Sequence, residues 1–467
     1  MGLLCIKIYW FMKVQYSYIF ALLLFSQVAT AQTSPTLELY IRKGLENNLA
    51  LQQKNLSLEK SIQALKEANG LFYPEISLDA QYTLASGGRS ISLPVGDMLN
   101  PVYSSMNQIL QGMGQPGNFP QIANQKIQFL PNDYQDTKIR MVLPLINAEI
   151  YYNRKIKKEL INVAQAETNV YKRELVKEIK TAYLRYLQSI KLTEAYASAS
   201  ELVSEALRVN EKLVKNQMVG NDQLLRIKAE MSKIEAQLAK AENDKKTALS
   251  YFNFLINQPL QTDISIDSAI LNNQITKIEN TSNSNYKTRE ELAQLKSAEN
   301  ASQVYLNMKQ AYWLPTVSNI TDFGYQGYQY KFNSDQRYIM NVIDLRWNLF
   351  EGFQNKRKVS QARIDKNSME LKLSETEQML EMQQQLVQNN LESSLKAEQA
   401  NNSSLNSSKE YYKVVSRQYA EGQKSLLDLL DARNQLTSSQ ISYTISHFET
   451  LIRIAELERA TASYDLK

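Results

Sequence analysis

Apolar and polar positions along this chain follow two different rhythms. Over residues 75–84, Ile76, Leu78, Ala80, Tyr82 and Leu84 alternate with Glu75, Ser77, Asp79, Gln81 and Thr83, the period of two that marks a strand with unlike faces. Ile139, Met141, Leu143 and Leu145 alternate in the same way with Lys138, Arg140, Val142 and Pro144, and Ile339, Ile343, Leu345, Trp347 and Leu349 with Asp344, Arg346 and Asn348. Elsewhere the spacing is helical, as in Leu202, Ala206, Val209 and Leu213, or Leu426, Leu429, Leu430, Ala432 and Leu436. The strand pattern fits a one-sided soluble sheet or a membrane barrel. The helical stripe fits a coiled-coil bundle with a buried seam or a curved wall of helices with a wetted inner face.

Two helical segments are unusually long. Asn147 to Met218 and Glu351 to Ala420 contain no proline, and glycine only at Gly352, so each predicts a helix of about 70 residues, roughly 105 Å at 1.5 Å per residue. Shorter helices are predicted over Thr36–Asn69, Gly220–Asn257, Tyr286–Tyr312 and Gly422–Tyr464.

The plan occurs twice. A strand opens at Leu71-Phe-Tyr-Pro74-Glu and again at Ala311-Tyr-Trp-Leu-Pro315-Thr, each straight after a helical run. The turns Gly220-Asn-Asp-Gln-Leu-Leu225 and Gly422-Gln-Lys-Ser-Leu-Leu427 also match. The two prolines lie about 240 residues apart and the two glycines about 200, which puts roughly 40 extra residues between the first pair of strands. That excess is Gly88 to Asp133. The expected division is a leader over residues 1–31, a first repeat over 32–270 and a second over 271–467. The first repeat has strands near 72–86 and 134–146 and a hairpin tip near 218–222; the second has strands near 315–329 and 337–350 and a tip near 419–424.

The leader is read from the apolar run Tyr18-Ile-Phe-Ala-Leu-Leu-Leu-Phe25, with Lys13 before it and Ala29-Thr-Ala31 after it, a secretory signal cut after Ala31. Met12-Lys13 is the more usual start for such a leader, with Met1 the alternative. Cleavage removes Cys5, the sole cysteine, so folding relies on packing and oligomer contacts rather than disulfides. The formal net charge of +5 is spread through helices of mixed Lys and Glu. It forms no basic patch for nucleic acid.

The secretory leader, the absence of any run of about 18 apolar residues and the aromatics Tyr82, Phe323, Tyr325 and Trp347 near strand positions favour a membrane barrel over a soluble sheet. Two repeats give four strands, whereas closed barrels begin at about eight and an open edge does not survive in lipid. Several copies must therefore share one barrel, and three in a closed ring supply 12 strands, on the order of the known smaller barrels.

These residues resemble the TolC-like outer membrane factors, the exit ducts of tripartite efflux pumps and type I secretion systems. Thr36-Leu-Glu-Leu-Tyr-Ile-Arg-Lys-Gly-Leu-Glu-Asn-Asn-Leu-Ala-Leu51 is similar to the family's opening helix. Phe72-Tyr-Pro-Glu-Ile-Ser-Leu78 is similar to its helix-to-strand junction, Trp347-Asn-Leu-Phe-Glu-Gly352 to its strand-to-helix junction, and Tyr419-Ala-Glu-Gly-Gln-Lys-Ser-Leu-Leu-Asp-Leu-Leu-Asp-Ala432 to its second hairpin tip.

The resemblance implies a mainly α protein with a transmembrane β part. It would be a homotrimeric 12-stranded β-barrel continuous with a periplasmic α-helical barrel, set in the bacterial outer membrane and working with a periplasmic adaptor and an inner-membrane pump. It carries Gly220 and Gly422 over as turn and adaptor-docking positions, for which the sharp reversal also asks a positive φ. Asp428 and Asp431 match the acidic ring of the periplasmic entrance, where crowding would raise their pKa values. As residues three apart on a helix, they share a face, and the alternative reading is a solvated pair bonded to Arg433 or Lys424. Tyr419 and Lys424 match the residues that hold the entrance closed. Counting from Gly220 puts Arg226 where their acidic partner is expected.

No residue pattern points to a reaction, cofactor or metal. The single histidine, His447, lies in a helical run, and phosphate-binding glycine loops are absent. The duct reading therefore relies on partners for energy. Its rival is a coiled-coil envelope tether with a small sheet at one end.

Overall fold

The computed structural model describes residues 35–271 and 286–466; the expected leader lies outside them. In chain order the elements are α1 (Pro35–Asn47), α2 (Leu49–Gly70), β1 (Glu75–Thr83), β2 (Ser90–Leu93), α3 (Val95–Gly112), β3 (Gln125–Gln128), β4 (Tyr134–Ile146), α4 (Ala148–Lys215), α5 (Asn221–Leu255), the short α6 (Ser268–Leu271), α7 (Glu290–Gln310), β5 (Thr316–Tyr328), β6 (Arg337–Arg346), α8 (Gln354–Ala420) and α9 (Leu426–Ala460). The proline-free stretches form α4 and α8, of 68 and 67 residues.

The segment expected to be one helix from Thr36 to Asn69 is interrupted at Asn48. Its buried side chain accepts the Leu51 N–H at 3.0 Å and donates to the Leu255 carbonyl at 2.9 Å. Asparagine at a helix start competes with the helical ladder and caps the segment that follows.

The chain forms two compact units, and each draws on both halves of the sequence. One comprises residues up to Leu58, Ala164–Gln294 and Leu373–Lys467. Its main core gathers Ile41, Leu51, Leu175, Ile179, Tyr183, Leu187, Phe252, Ile256, Phe448 and Ile452. Tyr40 meets Phe252 edge to face, with ring centres 5.2 Å apart. Gly44 lets α1 approach α4 and α5, since a Cβ there would press on Ile179 and touch Ile256.

Beside that core lies a charged clasp. Arg459 reaches Glu174 at 3.2 Å and Glu291 at 2.7 Å, Arg289 also donates to Glu291 at 2.6 Å, and Lys180 pairs with Glu458 at 2.5 Å. Burial penalises the charge of Glu291, but the hydrogen bonds from Arg289 and Arg459 outweigh it and hold the carboxyl at about 2. The C-terminal Tyr464 is tied in as well, its hydroxyl to Glu38 at 2.8 Å and its carbonyl to Arg173 at 2.6 Å. A second, smaller core contains Ala199, Val203, Ile227, Ile234, Leu426 and Leu430, with Leu207, Met231 and Tyr419 packed against it.

The other unit comprises Glu59–Val163 and Leu295–Lys372. It holds an antiparallel four-stranded sheet of order β1-β4-β5-β6. The register is continuous on β1–β4, from Glu75 opposite Val142 to Thr83 opposite Tyr134. β4 pairs with β5 from Tyr134 opposite Tyr328 as far as a bulge at Pro144/Ile146. Among the described residues β1 and β6 pair on one side only, so the sheet has two open edges. The excess predicted at Gly88 to Asp133 is a structured insert in which β2 and β3 pair and α3 lies between them.

Candidate functional site

The antiparallel register assigns every strand residue to a face. Ile76 and Leu78 on β1 share one face with Ile139 and Met141 on β4, Phe323 on β5, and Ile339 and Ile343 on β6. This apolar face is open: Leu78 is 71% exposed, Ile339 74% and Ile343 69%. A soluble one-sided sheet would bury it.

The opposite face carries Asp79, Asp136, Lys138, Arg140, Asp322, Asp344 and Arg346. Its charges are largely satisfied among themselves. The Arg140 guanidinium donates to both carboxylate oxygens of Asp322, at 2.8 and 2.7 Å, Lys138 meets Asp136 at 2.5 Å, and the Tyr338 hydroxyl lies 3.2 Å from Asp136. Asp322 is wholly enclosed. A sheet with its charges gathered on one face and open aliphatic side chains on the other matches the two surfaces of a membrane barrel around a wet lumen.

Strands of 9 to 13 residues suffice to cross a hydrocarbon layer at a tilt, for which about 9 to 11 are needed. Aromatics mark both ends of the sheet. Tyr134 and Tyr328 contact each other at one end with ring centres 5.6 Å apart. At the other, the indole N–H of the exposed Trp347 donates to the Trp313 carbonyl at 3.0 Å. Among the described residues no helix is long and apolar enough to cross a membrane.

The two hairpin turns follow one design, but their glycines do different work. At the α8–α9 turn Gly422 has φ of +75°. The Gln423 N–H reaches back to the Gln418 carbonyl at 2.8 Å and the Gly422 N–H to the Tyr419 carbonyl at 3.0 Å, a Schellman closure with its left-handed residue at Gly422. Ser425 then caps α9. At the α4–α5 turn the same pair of bonds runs from Met218 to Leu213 and from Gln217 to Val214, both 2.9 Å. The left-handed residue there is Gln217, with φ of +55°, and Gly220 is the N-cap of α5 at φ −76° and ψ 155°.

The positive φ expected at Gly220 is therefore not found. Gly220 corresponds to Ser425, and Gln217 to Gly422. Counted in this register, Gln223 corresponds to Asp428 and Arg226 to Asp431, so the cation assigned by counting from Gly220 stands one helical turn further on.

Asp428 has a local task. Its carboxylate accepts from the Ser425 hydroxyl at 2.7 Å and from the Ser425 main-chain N–H at 3.0 Å, while the Asp428 N–H donates to the Ser425 oxygen at 3.3 Å. This reciprocal capping box, with Lys424 3.9 Å away, holds the Asp428 carboxyl below its ordinary value within one chain. Crowding around a shared mouth would act in the opposite direction. Asp431 is exposed. Arg433 is buried and turned elsewhere, to the Ala199 carbonyl at 2.9 Å, Asn434 at 2.6 Å and Glu230 at 3.3 Å. Tyr419 packs against the smaller core. His447 is buried, with Nδ1 2.7 Å from Glu398. Among the described residues no group of His, Cys, Asp and Glu side chains could hold a metal ion.

In the sequence Arg140 is a polar strand position, but nothing local marks Asp322 as its partner. The alternation Asn319, Thr321, Phe323, Tyr325 against Ser318, Ile320, Asp322, Gly324 is too mixed to assign a face until β4 supplies the register.

With this geometry in view, likeness to known proteins is informative. Residues 283–463 match the family described as outer membrane efflux protein. No curated protein matches the chain. Among solved structures, the CmeC outer membrane channel of Campylobacter jejuni aligns at a TM-score of 0.71 with 13% identity, over 91% of this chain and 85% of that one. The open state of the MtrE outer membrane channel of Neisseria gonorrhoeae aligns at 0.72 with 15% identity, over 91% and 89%. The outer membrane protein VceC of Vibrio cholerae aligns at 0.70 with 14% identity, over 91% and 95%. At these identities the likeness establishes the fold, which the chain shares with these outer membrane proteins.

Proposed function

We propose that this protein is the outer-membrane exit duct of a tripartite efflux pump or type I secretion system. The observation that carries the reading is the sheet with its charges gathered on one face, an exposed aliphatic face opposite and two open edges. Three copies, each contributing four strands from an internally duplicated chain, close a 12-stranded barrel, and their helices extend into the periplasm. The duct is passive. A periplasmic adaptor docks at the hairpin tips around Gly220 and Gly422 and opens them, and an inner-membrane transporter supplies the energy.

In this reading Asp428 and Asp431 from three copies ring the entrance and favour cations, and Tyr419 and Lys424 help to hold it closed. The turn register supports Asp431 as the freer carboxylate, because Asp428 is already committed to its cap.

The test is single-channel conductance of the purified protein in planar bilayers, with the wild type beside the Asp428→Asn/Asp431→Asn double variant. Asparagine retains a cap acceptor at 428 while removing the charge. Small cation-selective currents that lose selectivity in the variant support the duct and its acidic mouth. Unchanged selectivity retains the duct and removes the ring. A protein that never inserts returns the reading to a periplasmic tether.

A further inference from the structure

The insert between β1 and β4 contains a helix whose faces are used the opposite way round from those of an ordinary surface helix. Asn100 and Asn107 each pair with the main chain of a single residue. Asn100 donates to the Ile122 carbonyl at 2.9 Å and accepts its N–H at 2.8 Å; Asn107 does the same with Phe119, both bonds 2.9 Å. Asn124 closes onto Asp97 at 2.9 Å, and Tyr103 stacks on Phe119 with ring centres 5.3 Å apart. The polar face of α3 is thus turned inward and consumed by the returning segment 117–124.

The apolar face is left open. Met98, Val102, Met106, Ile109 and Met113 are all exposed, and at 3.6 residues per turn they fall within an arc of about 80°. Exposed stripes of this kind mark a surface that something covers.

Charge indicates what that is. No charged residue occurs from Met98 to Gln125, and Asp97 is the sole charged residue of α3. Helices that lie on anionic bilayer surfaces carry Lys and Arg on the polar face; here that face is uncharged and already bonded. A neutral, methionine-rich stripe, able to repack against another such surface, fits another copy of itself. Connectivity points the same way. β1 leads into the insert, and β1 is one of the two open edges that another copy must cover.

We propose that the apolar stripe of α3 is a contact between copies of this chain, so that the inserts associate with one another at the ends of the strands away from α2 and α4. The inference rests on the shared-barrel reading above and adds an interface outside the barrel wall.

Cysteine cross-linking tests it on the full-length protein in a Cys5→Ser background. Single variants Met98→Cys, Met106→Cys and Met113→Cys are compared with Gln111→Cys, which is exposed on the clasped side of the helix. Each is treated with copper phenanthroline or a short bismaleimide, and its mass is measured by light scattering. The expected result is a trimer in every case, with linked dimers from at least one stripe position, reducible when formed by copper phenanthroline, and none from Gln111. Trimers without stripe links, whose stripe cysteines carry a fluorophore quenched by brominated lipids, would show that the bilayer covers α3 and overturn the proposal. Trimers whose stripe cysteines neither link nor quench and react freely with a water-soluble maleimide would overturn it too, as would equal linking at Gln111. Absence of trimers would remove the shared-barrel reading itself, and this interface with it.

Discussion

Arg140 on β4 and Asp322 on β5 face each other in register and form a two-pronged ion pair at 2.8 and 2.7 Å. The pair joins strands that lie far apart in sequence, and it places both charges on the face opposite the open aliphatic one. Asp322 is fully buried while Arg140 is partly open, so removing the carboxylate deletes two charged hydrogen bonds and leaves a cation that water can still reach.

Asp322→Ala is accordingly expected to destabilise the β4–β5 pairing by about 1.5 to 2 kcal/mol, the lower part of the range for hydrogen bonds to charged groups, since the partner cation is partly solvated. Asp322→Asn, which preserves a hydrogen-bond acceptor, should lose less. Urea unfolding in detergent micelles, followed by the shift in electrophoretic mobility, reads the difference. Equal behaviour of both variants and the wild type would mean that the pair contributes nothing.

The two turns make opposite predictions for three small substitutions. Gly422→Ala places a Cβ at φ of +75° and should cost about 1 to 2 kcal/mol. Gly220→Ala, at an extended N-cap where alanine is the poorer cap, should cost about 0.5 to 1 kcal/mol, less than at Gly422, with the exposed Asp222 carboxylate free to swing aside from the new Cβ. Gln217→Gly relieves a left-handed glutamine and should stabilise its turn by up to about 1 kcal/mol. Amide hydrogen exchange at the α4–α5 and α8–α9 turns measures each effect locally. Equal costs at Gly220 and Gly422 would return the glycines to a common role.

Ser425→Ala breaks the capping box without touching the charge of Asp428. It should cost about 1 kcal/mol at the start of α9, seen as faster exchange of the first-turn amides. Ion selectivity should be retained. A change in selectivity from this variant would mean that capping geometry, rather than charge alone, sets the entrance.

The charged clasp predicts a pH dependence with a definite sign. Glu291 is held at about 2, below the ordinary glutamate value of about 4.3 expected when unfolded. The stability it contributes is complete above the unfolded value and is lost as pH falls from about 4 towards 2. Glu291→Gln should be less stable than the wild type at neutral pH, and the gap should narrow across that acid window. Circular dichroism melts at stepped pH check this.

The long helices were legible because an absence is easy to read: no proline or glycine interrupts α4 or α8. β1 was legible because its alternation is free of exceptions. The turn register was not. A matched Gly and Leu-Leu suggested one alignment, but the left-handed position of the first turn is filled by Gln217, a residue with no special preference for it, and Gly220 caps a helix instead. The insert appeared in the sequence only as excess length, because its organisation depends on Asn100 and Asn107 reaching main-chain groups a dozen or more residues away, which no local pattern announces.

The two unpaired strand edges have a genetic consequence. If β1 and β6 are completed only by neighbouring copies, a chain with a damaged edge still offers one good edge to a healthy neighbour. Co-expressed with the wild type, such an allele would spoil mixed assemblies and behave as dominant, whereas a complete deletion of the gene on one of two plasmids would be silent.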